Sequence, residues 1–174
     1  MNKIELRPLT LSEEETFIKE IQVAFDKAVI EEFGPQKDTV IPREEVEKSL
    51  HHPNAQVFRI IADGKAVGGV AVQIDPVSRH NSLDLLYINP DCHSKGTGQR
   101  VWQLIEKLYP ETKVWETHTP YFEIRNIHFY VNRLGFHIVE FFHPGHPDPH
   151  NNKNNYCDMD GKEYFFRFEK VMQK

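Results

Sequence analysis

Leu85-Leu86-Tyr87-Ile88-Asn89-Pro90-Asp91-Cys92-His93-Ser94-Lys95-Gly96-Thr97-Gly98-Gln99-Arg100-Val101-Trp102-Gln103-Leu104-Ile105 holds three structural signals without a gap. Residues 83–88 are a short, apolar, β-compatible run, and Asn89-Pro90 ends it because proline has no amide hydrogen to give a strand ladder. A small glycine-containing loop follows. Beyond it Val101, Leu104, Ile105 and Leu108 recur at helical spacing, one face of a helix packed on a sheet. The unit reads as strand, glycine-rich turn, helix.

At such a turn the first backbone N–H groups of the helix lack an internal partner, and with the helix dipole they favour an anion. Gly96 and Gly98 carry no Cβ, so a phosphate can approach the backbone, and Lys95 adds positive charge at the mouth. The expected ligand is a phosphate or pyrophosphate of a nucleotide-like cofactor. The spacing of a P-loop, Gly-x-x-x-x-Gly-Lys-Ser/Thr, occurs nowhere in the chain. A dinucleotide fingerprint is also excluded, because Val101 stands where its third small residue belongs.

Upstream of the turn, residues 55–61 and 65–74 are β-rich runs joined by Ala62-Asp63-Gly64, a strong hairpin signal. Gly68-Gly69 in the second run predicts a bulge or a close backbone approach. An antiparallel meander therefore leads into the turn. Further back, residues 4–7 alternate as a strand ending at Pro8, and Ser12-Glu13-Glu14-Glu15 reads as a capping box. Phe17, Ile21, Ala24, Phe25 and Ala28 form the apolar stripe of the helix it starts, which Gly34-Pro35 stops. Pro42 begins a second helix, Arg43–Leu50, with an acidic first turn. Downstream, residues 113–118 read as a strand and 125–134 as a helix with Gly135 at its C-terminal cap. Residues 136–142 and 163–168 read as strands on either side of a His-, Pro- and Asn-rich segment over 143–161.

The pattern of apolar strand, Ile88-x-Pro90, His93-x-x-Gly96-x-Gly98 and amphipathic helix resembles the acetyl-coenzyme A motif of the GNAT family of N-acetyltransferases. The family's usual signature is Gln/Arg-x-x-Gly-x-Gly/Ala; the spacing matches, and His93 replaces the Gln or Arg. Asn126-Ile127-His128-Phe129-Tyr130-Val131-Asn132-Arg133-Leu134-Gly135-Phe136 is similar to a second family pattern, Asn-x-x-x-x-Phe/Tyr-Tyr-x-x-x-Gly-Phe, with Asn126 standing closer to Tyr130 than in some members. The element order β-α-α-β-β-β-α-β-α-β-β is also that of the family. The resemblance covers nearly the whole chain and implies one acetyltransferase domain over residues 1–174. Its fold class would be α/β (α+β), with a central mixed, mostly antiparallel twisted sheet flanked by helices. Acetyl-coenzyme A is the implied co-substrate, held at Leu86, Ile88, His93, Ser94, Lys95, Gly96, Thr97, Gly98 and Asn126.

Acetyl transfer to an amine needs a neutral amine, a stabilised oxyanion and a proton for the departing thiolate. Backbone N–H groups near Leu86 and Ile88 answer the second need if that strand splays from its neighbour. Read from residues alone, Tyr130 is a core aromatic of an amphipathic helix; the resemblance makes its hydroxyl the acid. Asp84 and Glu116 are the carboxylates expected on central strands, candidates for the amine proton, with a solvent-exposed strand edge or an arginine partner as the alternative. His118 and His128 read as structural histidines. His143-Pro144-Gly145-His146-Pro147-Asp148-Pro149-His150 reads as a solvated loop lining the acceptor pocket and not as a metal site.

The chain of 174 residues, 39% hydrophobic and 27% charged, has the composition of one globular domain. Its 26 acidic and 21 basic residues leave a formal charge of −5, which argues against a general nucleic-acid binder and suits an acceptor carrying amines. Cys92 and Cys157 form no C-x-x-C, so neither a disulfide framework nor a zinc cluster is indicated. The first residues lack the apolar stretch of a signal peptide and no run is long enough to span a membrane, so a cytoplasmic protein is expected. The expected partner is a small-molecule or peptide amine, with a second copy of the chain as a further candidate and neither nucleic acid nor membrane. The runner-up function is a non-catalytic, coenzyme A-binding regulatory module on the same fold.

Overall fold

Asp63 and Gly64 take φ of 50° and 80°, the left-handed pair that a tight turn between twisted strands requires, and this turn joins β2 (Ala55–Ala62) to β3 (Lys65–Gln73). The computed structural model describes residues 3–92, 96–150 and 164–173. His93, Ser94 and Lys95 lie outside the described residues, as do Cys157, Asp160, Gly161 and Glu163. Around the β2–β3 hairpin, β1 (Ile4–Pro8) pairs with β2 and β4 (His80–Ile88) with β3, completing the predicted meander. With β5 (Val114–Pro120), β6 (His137–Phe142) and β7 (Phe165–Val171), the sheet has seven strands among the described residues, in the order β1-β2-β3-β4-β5-β7-β6. Of these pairings only β4–β5 is parallel, so the sheet is mixed and mostly antiparallel.

Helices cover both faces. On one, α3 (Thr97–Leu108) and α4 (Ile124–His128) pack on a core that includes Ile60, Val70, Val72, Leu83, Trp115 and Phe168. On the other, α1 (Glu14–Phe33) and α2 (Arg43–Leu50) bury Phe17, Ile21, Val46 and Leu50 against Ala71, Leu85 and Tyr87. Beneath α1, Arg59 is buried and donates to Glu20 at 2.7 Å and to the Tyr87 hydroxyl at 2.9 Å, so a charge carried by the sheet is paired where it meets the helix.

Several local expectations shift. The capping box lies at Thr10 and Glu13, not at Ser12 and Glu15: the Glu13 carboxylate accepts the Thr10 N–H at 3.0 Å and opens a short 3₁₀ turn before α1. In α3 the buried apolar positions are Val101, Trp102 and Ile105, with Thr97 buried at its start, while Leu108 is 50% exposed. The large Trp102 ring takes the core place, packing edge-on against Trp115 at 5.0 Å and on Phe136 at 5.4 Å. The helix expected over 125–134 is α-helical only through His128; it continues as a π-turn over Phe129–Arg133, where the Leu134 N–H reaches the Phe129 carbonyl at 3.0 Å. Gly135, at φ 81°, then turns the chain into β6. The last strand begins at Phe165 and runs on to Val171.

Candidate active site

The parallel pair β4–β5 is registered over only three positions, His80↔Val114, Asn81↔Trp115 and Ser82↔Glu116. Immediately beyond, the buried Thr117 hydroxyl donates to the Leu83 carbonyl at 3.0 Å. From there the strands part. The cause is on β4: the β3 register runs Ala71↔Leu85 and then Val72↔Leu83, so Asp84 is the extra residue of a bulge. A bulge bends its strand and reverses the facing of the residues beyond it. Leu83, Leu86 and Ile88 accordingly face the α3 core, and Leu85 and Tyr87 the α1 core. Close approach on the β3 side reinforces the bend: a Cβ on Gly68 would lie 2.2 Å from the Tyr87 carbonyl oxygen. Among the described residues no strand pairs with the β5-facing edge of β4 between Leu85 and Ile88. That edge includes the backbone expected to hold an oxyanion.

At the end of β4, the Asn89 N–H bonds the Val67 carbonyl at 2.7 Å and a 3₁₀ turn, Pro90–Cys92, redirects the chain. Gly96 re-enters the described residues as the left-handed N-cap of α3, at φ 87°, and its carbonyl takes the first helical bond from the Arg100 N–H at 3.1 Å. The two glycines of the motif differ in what they do. A Cβ on Gly96 would meet nothing within 4 Å, so that residue serves the left-handed backbone and leaves open space above it. A Cβ on Gly98 would lie 3.0 Å from the Phe129 ring, so this glycine lets α3 seat on the π-turn. A helix entry that no side chain among the described residues covers fits a pyrophosphate.

On the α3 side of the split stands Tyr130, 8% exposed, among the rings of Phe129, Phe136 and Phe168. Burial pushes its phenol up to about 12, while a hydrogen bond with the Thr117 side chain works the other way. Asn126 donates to the Thr119 hydroxyl at 3.5 Å, so the second motif and β5 line one wall.

On the opposite face β5 presents Glu116 and His118. Asp84, its carboxyl raised by burial, accepts from the Ser82 hydroxyl at 2.9 Å and from the Gln73 amide. Glu116 bonds His80 Nε2 at 2.9 Å and lies 3.9 Å from Arg167, so it has the arginine partner that the sequence left as an alternative. His80, Glu116 and Glu169 bring three donor atoms within 4.8 Å of one another, but the Arg167 guanidinium bonds Glu169 at 2.5 Å inside the same cluster, which reads as an ion-pair network. The loop after β6 folds back through a His143↔His146 bridge, with His146 on Glu140 at 2.7 Å. Phe142 is stacked between the rings of His118, at 6.2 Å, and His146, at 5.7 Å. Asp148 thereby comes within 4.0 Å of His118 Nε2. His128, by contrast, is exposed and pairs with Asn132 at 2.9 Å.

Sequence reasoning placed Asp84, Glu116, Tyr130 and Asn126 on the two strands and the helix beside the split; Asp84 and Glu116 stand on one face of the sheet and Tyr130 and Asn126 on the other. It took His118 for a structural histidine, left Asp148 within the His-rich loop and did not single out Thr117. The period-two alternation of β5 puts His118 on the face of Glu116 and Thr117 on the other, but does not by itself mark either as functional. No motif announced Asp148. No helix among the described residues is long and apolar enough to cross a membrane.

A sequence model described as the acetyltransferase (GNAT) family matches residues 21–136. The uncharacterized protein YrkN of Bacillus subtilis (strain 168) is 49% identical over 162 residues, 91% of this chain and 88% of its own. Among solved structures, an acetyltransferase from Thermus thermophilus superposes with a TM-score of 0.68 at 14% identity, covering 99% of this chain and 100% of its own. PaiA N-acetyltransferase from Thermoplasma acidophilum, in complex with coenzyme A, gives 0.64 at 19% identity over 98% and 99% of the two chains. Spermidine N-acetyltransferase from Vibrio cholerae, in complex with coenzyme A and spermine, gives 0.65 at 14% over 97% and 95%.

Proposed function

Because the chain belongs to the acetyltransferase (GNAT) family, whose co-substrate is acetyl-coenzyme A, we propose that it transfers an acetyl group directly from the thioester to a primary amine of a small molecule or peptide. The observation that carries this reading is the split between β4 and β5, opened by the bulge at Asp84 and lined on one side by Tyr130. A thioester supplies an activated acyl carbon, and a strand edge without a ladder partner offers N–H donors to the oxygen that becomes negative when that carbon is attacked.

In this proposal the entry of α3 at Gly96, Thr97 and Gly98, together with His93, Ser94 and Lys95, binds the pyrophosphate. The free edge at Leu86 and Ile88 aligns the thioester arm and Asn126 adds a polar contact. Tyr130 donates a proton to the thiolate as it leaves. Across the sheet, Asp84 and Glu116 give the acceptor side a negative potential that draws a cationic amine. The spermine bound by the Vibrio cholerae enzyme makes polyamines the first acceptors to try.

The test is release of free thiol from acetyl-coenzyme A with a panel of spermidine, spermine, simpler primary amines and peptide N-termini. At least one acceptor should give release that depends on both substrates, with acetylated amine as the matching product. A protein that binds coenzyme A in calorimetry and releases no thiol with any amine is the non-catalytic binding module instead.

A further inference from the structure

Two residues past the last β4–β5 pair, Ser82↔Glu116, stand Asp84 on one strand and His118 on the other. Strand alternation puts His118 on the face of Glu116, opposite Thr117, whose hydroxyl closes the vertex of the split, and opposite Tyr130. His118 and Tyr130 therefore flank the same opening from its two sides.

The carboxylates nearby are already engaged. Asp84 accepts from Gln73 and Ser82, and Glu116 from His80 with Arg167 close by. His118 is different. Its Nε2 is directed between Glu116 Oε1 at 3.6 Å and Asp148 Oδ2 at 4.0 Å, its ring is stacked on Phe142, and 40% of the side chain stays accessible. Two carboxylates beside Nε2 favour the tautomer with its proton there, which leaves the Nδ1 lone pair as the basic atom. Among the described residues nothing donates a hydrogen bond to that nitrogen.

We propose that His118 takes the proton of the acceptor amine, with Glu116 and Asp148 as the positioning residues that orient its ring. The inference rests on the acetyl-transfer reading and adds the missing base to it. As the amine nitrogen forms its bond to the acyl carbon it becomes acidic, and one N–H proton passes to His118 Nδ1. The C–S bond then breaks with its electron pair on sulfur, which takes a proton from Tyr130. His118 afterwards returns a proton to water and Tyr130 regains one, so the sum is amine plus thioester giving amide plus thiol.

A base must be neutral to act. Burial lowers the His118 imidazole below its ordinary value, Arg167 acts in the same direction, and Glu116, Asp148 and Asp84 oppose them. At neutral pH the ring is thus ready to accept a proton, and activity is lost as pH falls through its midpoint.

The experiment is a pH profile of kcat/KM for wild type, His118→Gln and Asp148→Asn, paired with an NMR titration of histidine-labelled protein free of substrate. His118→Gln should lower kcat/KM by about 10²–10⁴-fold and abolish the acid limb, with coenzyme A affinity retained. Asp148→Asn removes a charge that holds the imidazole up, so both the acid limb and the NMR midpoint of His118 should move to lower pH. A folded His118→Gln variant with the wild-type profile overturns the inference. If that variant does not fold, an acid limb that stays put in Asp148→Asn while the NMR midpoint moves overturns it equally. A wild-type protein that turns over no amine sinks the acetyl-transfer reading itself, a result separate from an active wild type indifferent to His118.

Discussion

Tyr130 keeps its proton because the rings around it exclude water, and with a phenol near 12 it is a weaker acid than a free tyrosine at ~10. In the proposed role such a hydroxyl would stay protonated beside a thiol at ~8.5 and would pass its proton to the sulfur only as the C–S bond breaks. Tyr130→Phe removes that oxygen and retains the ring packing on Phe136 and Phe168. Turnover at saturating acceptor should fall by about 10²–10⁴-fold while the thermal midpoint hardly moves and calorimetry finds unchanged coenzyme A affinity. Full turnover in an assay limited by chemistry would make Tyr130 a packing residue. Tyr130 was legible in the sequence because a motif surrounds it. His118 was not: a histidine two residues from a glutamate on a strand gains meaning only when Asp148, thirty positions on, folds back beside it.

The helix entry joins two elements that the sequence treats as separate. Gly98 opens α3, and the ring that would strike its absent Cβ, 3.0 Å away, belongs to Phe129 in the π-turn. Gly98→Ala should therefore cost about 1–3 kcal/mol in urea unfolding, the range for overpacking a filled contact. Phe129→Leu in the same chain should recover part of that loss, giving a coupling of about 0.5–3 kcal/mol in a double-mutant cycle. Additive effects would mean that the two residues do not share the contact. Element order and the strand–turn–helix unit were readable because hydrophobic period and punctuation agree there: Pro90, Gly96 and Gly135 each end or begin what they were expected to. The π-turn was not, since one wider backbone ring over Phe129–Arg133 leaves the apolar spacing of Tyr130, Val131 and Leu134 looking helical. The misplaced cap has a similar cause, because Thr10 and Ser12 both precede glutamates by three residues and only the backbone chooses between them.

Across the whole molecule, the sheet is one ladder from β1 to β4 and a second from β5 to β6, joined by three residue pairs and by the Thr117 hydrogen bond to Leu83. Thr117→Val keeps the shape and leaves a buried carbonyl without its donor, which costs about 1–3 kcal/mol. Denaturant unfolding should find that loss, and hydrogen exchange should find the added opening concentrated along β4 and β5; a loss spread evenly over the sheet would mean the bond is no special tie. The mostly antiparallel sheet followed from the hairpin and the meander, and a splay near Leu86 and Ile88 was expected, but its cause was not, because Asp84 reads as a carboxylate on a strand and nothing beside it marks a bulge. What then holds the halves together is chiefly side chains, with Trp102 lying against Trp115 of one ladder in a core shared with Val70 and Leu83 of the other. The seam between the ladders therefore rests on how well these buried rings fit one another rather than on the number of backbone bonds that cross it.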